Sequence, residues 1–331
     1  MVREIAWLIA LGAVMFAASL RGADMQVIPP LELVQTIRLP DVRGRIDHLA
    51  VDTTKARLFV AALGSDSVEV VDLRQGMRVA RLTGLREPQG IGYVRSADRL
   101  VVANAGGGVD LFDATTLRRA SRIEGLDDAD NVRLDATSGH VYVGYGKALA
   151  TIDAGSGKLL ESVELAGHPE SFQLESAGTR IFINVPTATQ IAVVDRSKNA
   201  VIGTWNVGDK RSNFPMALDE ADRRLFVATR KPAVLLVFDA DSGVQKADLA
   251  IAGDADDLFY DAKRKRLYAI CGEGVVDIVD QKDADHYERV AQVPTLRGAR
   301  TGLFVPSRDA LFVALPAHAG APAEIRAYAA R

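Results

Sequence analysis

Two adjacent positions recur seven times along this chain, eleven and ten residues before a short apolar run. The first carries Asp47, Gln89, Asp130, Glu170, Phe214, Asp256 and Arg300, and the second carries His48, Gly90, Asn131, Ser171, Pro215, Asp257 and Thr301. Carboxylates gathered on one ring repel one another unless a bound cation, a proton or Arg300 relieves them. Oxygen donors of this kind suit Ca²⁺ or Mg²⁺. His48 and His168 would add nitrogen donors and extend the choice to Zn²⁺. The expectation is a ligand-binding rim of Asp47, His48, Gln89, Asp130, Asn131, Glu170, Asp256, Asp257 and Arg300. Any metal within it would rest on Asp130, Asn131, Glu170 and Asp256.

The apolar runs that set this spacing form the repeat itself. They are centred on Phe59, Val101, Tyr142, Phe182, Phe226, Tyr268 and Phe312, at intervals of 40 to 44 residues. A further β-rich stretch follows each: VEVVD (68–72), VDLFD (109–113), LATID (149–153), IAVVD (191–195), LLVFD (235–239), VDIVD (276–280) and a weaker EIRAY (324–328). A period of 40–45 residues with several short strands per unit is the signature of a β-propeller. Helical repeats of that length would need a 3.6-residue period that these segments lack. Seven units predict seven four-stranded blades. The last unit lacks one strand, and LELVQTIRL (31–39) stands unused ahead of the first. That strand is expected to complete the seventh blade, giving one domain over 31–331 and a ring with no open end.

Seven and nine residues before each apolar run lie further apolar columns, such as Val51, Tyr93 and Leu134, and Leu49, Ile91 and Val132. Their alternation marks the innermost strand. The acidic columns then fall at one mouth of the channel. Loops 104–108, 186–189, 230–232 and 317–320 should reach the same end. His140 falls in a turn at the opposite end, His286 in an outer loop and His318 in the last unit's loop.

The segments RLFVA (57–61) and RLFVAT (224–229), with the recurring VVD or VFD, resemble the YVTN-repeat family of β-propellers. RLFVA stands where that family carries its tetrapeptide. Segments 167–174, 213–233 and 254–274 look like a bacterial exported subgroup. The resemblance covers the chain after residue 23 and implies a periplasmic or surface propeller that binds something at one end of its channel. Some propeller lactonases hold a metal through Glu, Asn and Asp at this position. By that likeness Glu170, Asn131 and Asp256 or Asp130 would polarise a lactone carbonyl, with His48 or a rim carboxylate as base.

The 331 residues are 48% hydrophobic and 25% charged, an ordinary globular composition. Net charge is −3. A phosphate-tracking protein carries a positive surplus, so nucleic acid is not an expected partner. Residues 5–20 form an apolar run followed by small residues, read as a secretory signal ending at residue 23 and too short to span a bilayer. Its removal takes away Arg3, Arg21 and Glu4 and moves the balance from −3 to −4. The chain is therefore expected to be a periplasmic or secreted monomer with no membrane span after cleavage. Cys271 is the only cysteine, within LYAIC, and reads as a buried hydrophobe. Gly106–Gly108 have no helix after them and read as a turn, not a phosphate cradle. The basic quartet 263–266 reads as a solvated hairpin turn. Three functions fit: a propeller binding a small polar ligand, a cation or a protein partner at its mouth; a metal-dependent lactonase; or an accessory to a periplasmic quinoprotein or redox system.

Overall fold

The structure is a computed structural model that describes Met1 and residues 29–331; the segment read as a secretory signal falls, but for Met1, outside the described residues. Seven four-stranded antiparallel sheets follow one another around a ring, a seven-bladed β-propeller. Blade 1 shows the pattern: Leu49–Asp52 innermost, then Arg57–Ala62, Ser67–Asp72 and Met77–Leu82 outermost. The apolar runs of the sequence are the second strands, fully buried at Phe59, Phe182, Phe226 and Tyr268. Each blade presses one face against the next, so the core is seven inter-blade clusters rather than one central mass.

The seventh blade closes as expected. Its outer strand is Leu31–Leu39, paired antiparallel to Ala323–Ala330 from Leu31 opposite Ala330 to Leu39 opposite Ala323. Leu31, Ile37 and Leu39 point into the core, and Ile37 and Leu39 pack on Leu58 and Val60 of blade 1. The N-terminal strand thus seals the ring at the one junction where chain continuity cannot.

The Asp that ends most third strands is a turn cap. The carboxylates of Asp72, Asp113, Asp195 and Asp239 accept backbone N–H groups two and three residues on, for example Thr116 N–H to Asp113 at 2.7 Å and Ser242 N–H to Asp239 at 2.8 Å. An Asx turn of this sort satisfies the backbone where the strand reverses. In every blade the outermost strand is bulged at the same place against the third strand, at Val70/Val71 in blade 1 and Leu33/Gln35 in blade 7. A bulge there adds twist and blunts the exposed edge.

Three third strands carry a buried acid where blades 3, 4 and 5 carry Ala150, Ala192 and Leu236 and blade 7 carries Arg326. Arginines of the fourth strand answer Glu69 (Arg78 at 2.9 Å, Arg81 at 2.7 Å) and Asp110 (Arg119 at 2.9 Å, Arg122 at 2.7 Å). Asp277 instead accepts the Ala252 N–H at 2.6 Å and the Gln292 amide at 2.8 Å. Cys271 is fully buried and burial pushes its thiol pKa up, as its sequence setting indicated. The basic quartet is spent on inter-blade ties, Lys263 and Arg264 both reaching Asp309. His286 is exposed beside Asp283.

Candidate functional site

The rim residues are held by backbone hydrogen bonds that recur from blade to blade. Asp47 N–H donates to Ala61 and Ala61 N–H returns to His48. The same pair links Asp130 and Asn131 to Gly144, and Glu170 and Ser171 to Asn184. Each acidic side chain therefore leaves its blade at the same height and turns to the axis. Blades 2 and 3 meet closely here. A Cβ on Gly90 would lie 1.8 Å from the carbonyl oxygen of Asp130, so only glycine fits.

Five of the predicted rim residues line one narrow pit: His48, Asp130, Asn131, Glu170 and Asp256, joined by Ser171, Arg45 and Phe214. The pit holds about 10 Å³, room for a single water-sized atom. Asp47 is completely buried beside it, with Arg45 Nη2 at 2.7 Å. Asp257 faces the other way, into the channel below. It meets His48 Nδ1 at 3.4 Å and accepts the Gly302 N–H at 2.8 Å. Gln89 is buried in its strand and does not line the pit.

The charges are relieved differently from the expectation. Arg300 pairs with Asp254 at 3.1 Å and takes no part in the pit. Arg230 lies against Asp256 at 2.5 Å and stacks 4.1 Å over the Phe214 ring. Arg45 also approaches Asp256, at 3.5 Å. Asp256 thus meets Arg230 through Oδ1 and faces Arg45 more distantly through Oδ2, and it is not among the three residues whose ligand atoms converge. His168 takes its place. One ligand atom each from Asp130, Glu170 and His168 lie within 4.8 Å of one another. His168 Nδ1 is 3.1 Å from the carbonyl of Gly146. A carbonyl only accepts, so Nδ1 carries the proton and Nε2 keeps its lone pair for a ligand.

Burial, with Asp47 close by, raises the Asp130 carboxyl to about 7. Burial, reinforced by Asp130 and Asp256, raises Glu170 to about 8. Asp256 is also raised by burial, with Arg230 opposing. Burial pulls His48 down, but Asp257, Asp47 and Asp130 outweigh it and lift the imidazole to about 10. His48 is therefore an imidazolium at neutral pH and cannot serve as the general base the sequence suggested. Asp47, Asp130, Glu170, Asp254, Asp256 and Asp257 face Arg45, His48, Arg230 and Arg300, an excess of two negative charges if all are ionised. Protons on Asp130 and Glu170 close that gap. Oδ1 of Asp130, Oδ1 of Asn131, Oδ2 of Asp256 and Oδ1 of Asp47 are buried without a hydrogen-bond donor, whereas Asp47 Oδ2 faces Arg45 Nη2 at 2.7 Å. Such a collection of unanswered acceptors costs energy unless a cation or protons answer it.

Sequence reasoning missed Arg45; it offered His168 as a nitrogen donor and placed 230–232 at the rim, but seated neither beside its carboxylate partner. Arg45 and His168 occupy one further column, two residues before the first rim column, and the same alignment extended by two positions reaches both. Phe214 is not the start of an apolar docking patch. It is covered by Arg230, and the large exposed apolar side chains, such as Leu159, Leu160, Val201 and Ile202, lie on outer strands.

No known family's model matches the chain, and no curated protein matches it in sequence. Solved structures do. A chain of the hydrazine synthase of Kuenenia stuttgartiensis superposes with a TM-score of 0.73 and 17% identity, covering 82% of this chain and 93% of that one. A chain of the mitotic checkpoint complex superposes with a TM-score of 0.77 and 12% identity, covering 96% and 98%. At these identities the likeness is one of fold. Among the described residues no helix is long and apolar enough to cross a membrane.

Proposed function

We propose that this propeller is an exported binding protein that holds one divalent cation at the polar mouth of its channel. Asp130, Glu170 and His168 are the ligands, with Asn131 Oδ1 as a fourth donor. The bound cation then presents open positions to a small polar ligand or the tip of a protein partner. The observation that carries the reading is the convergence of three ligand atoms within 4.8 Å around buried oxygens that have no donor. A mixed carboxylate, amide and imidazole set suits Zn²⁺ or Mn²⁺ better than Mg²⁺. The neighbouring arginines anchor Asp256, so that the pit keeps a defined shape when it fills. Export rests on the apolar run at 5–20, and placement among YVTN-repeat propellers rests on the RLFVA segments.

The test is native mass spectrometry with elemental analysis on chain secreted to a bacterial periplasm and purified without chelator. One divalent metal per chain, lost in Asp130→Asn/Glu170→Gln, supports the reading. A chain that stays metal-free after dialysis against Zn²⁺ and Mn²⁺ overturns it. Turnover of a lactone panel by the loaded protein would replace binding with hydrolysis.

A further inference from the structure

Beneath the rim the channel widens into a cavity of about 400 Å³, closed at its rim end by His48 and Asp257. That is within the range of small-molecule sites. The wall is mostly apolar: Tyr93, Leu134, Phe259 and Leu303 all contribute. Leu134 is 37% exposed and marks the open end, on the face opposite the cation site. Three charged side chains line the cavity: His48 and Asp257, paired with each other at 3.4 Å at the rim end, and Arg133 in the wall. Arg133 lies on the innermost strand Val132–Leu134 of blade 3, half-buried, with its guanidinium 5.6 Å from the centre of the Phe172 ring.

Arg133 is held but not neutralised. Nη1 donates to the Val132 carbonyl at 2.9 Å and Nη2 to Ser171 Oγ at 3.1 Å. Among the described residues no carboxylate lies within ion-pair reach of it. Arg45, Arg230 and Arg300 each have one, at 2.7, 2.5 and 3.1 Å. Burial lowers the Arg133 pKa, while Asp257 and Asp130 oppose from a distance. A guanidinium placed in a low-dielectric channel without a counter-ion is costly to keep and strengthens any anion that reaches it. Its planar fork matches a carboxylate.

We propose that this cavity is a second binding site, for a small carboxylate with an apolar body, the carboxylate seated on Arg133 and the body lying against Tyr93, Leu134, Phe259 and Leu303. The ligand enters from the face opposite the rim, so the two sites fill independently. The site stands whether or not the mouth holds a cation.

Calorimetric titration of the purified chain with octanoate, octanamide and acetate tests it. One octanoate per chain is expected, with octanamide and acetate each at least about tenfold weaker. Arg133→Gln should weaken octanoate at least about tenfold, and Leu134→Trp, which fills the open end, should block it. The rim variant Asp130→Asn/Glu170→Gln should leave octanoate binding unchanged while removing the cation. No saturable octanoate binding overturns the proposal. So does equal affinity for octanamide, which would make the site merely greasy, or for acetate, which would make the cavity irrelevant. Loss of octanoate in the rim variant with retention in Arg133→Gln would place the carboxylate at the rim instead. Should Arg133→Gln fail to fold, Leu134→Trp decides, since unchanged octanoate affinity there contradicts the site.

Discussion

Filling the pit with a divalent cation should expel protons, and the number follows from the structure. Asp130 sits at about 7 and Glu170 at about 8, each held up by burial and by its acidic neighbours. At pH 6 both are largely protonated, so a cation that ligates both carboxylates displaces about two protons. The release shrinks as pH rises to 8 and the free carboxyls ionise. Calorimetric titration with Zn²⁺ or Mn²⁺ in two buffers of different ionisation enthalpy reads the number directly. Cation binding without proton release at pH 6 would refute the charge accounting. A release that does not shrink between pH 6 and 8 would do the same.

Three further outcomes are expected. Both carboxyls bind protons more tightly folded than unfolded, so cation-free protein should lose stability as pH rises from about 4 to 8. His48 adds in the same direction, its contribution complete below pH 6.5 and lost as pH rises through about 10. Glu170→Gln should flatten the slope in chemical unfolding at pH 5 and 8 by about 1–3 kcal/mol. That is less than the roughly 5 kcal/mol of a full conversion, because water reaches the mouth and Asp130 shares the proton. An unchanged slope would show that Glu170 is not held protonated. Gly90→Ala should cost about 1–3 kcal/mol and abolish cation binding by displacing the Asp130 backbone, and a wild-type melting curve would contradict the packing. Deleting 29–39 should open the ring and remove three fully buried side chains worth about 1.5–3 kcal/mol each, read as a large drop in melting temperature. A closed, equally stable ring would contradict the role of the N-terminal strand.

The fold was legible because each blade restates it. The apolar second strands, the Asp-terminated third strands and the unused strand at 31–39 map directly onto the structure. What was hidden depends on position across the ring rather than along the chain. Asp256 looked like a ligand by type, and only Arg230, arriving from the end of the second strand of the preceding blade, shows that it is already paired. His168 sits two residues from Glu170, outside the two rim columns, yet one of its ring nitrogens comes within 4.8 Å of carboxylate oxygens of Asp130 and Glu170. Arg133 alternates with apolar Val132 and Leu134 in sequence, the pattern of a solvent-facing residue. The strand's inner face is the channel, so alternation there places a charge inside. The outer-strand bulges had no residue signature, since the extra residue is Val79 in blade 1, Ala120 in blade 2 and Leu160 in blade 3.

The account rests on a cation at the mouth, and anomalous diffraction from crystals soaked in Mn²⁺ tests that most directly. One peak in the pit is predicted, bonded to Asp130, Glu170 and His168 Nε2 and absent in Asp130→Asn/Glu170→Gln. An empty pit at millimolar Mn²⁺, with His168 still turned to Gly146 and the two carboxyls sharing a hydrogen bond, would contradict the account and leave protons as the only occupants of the site.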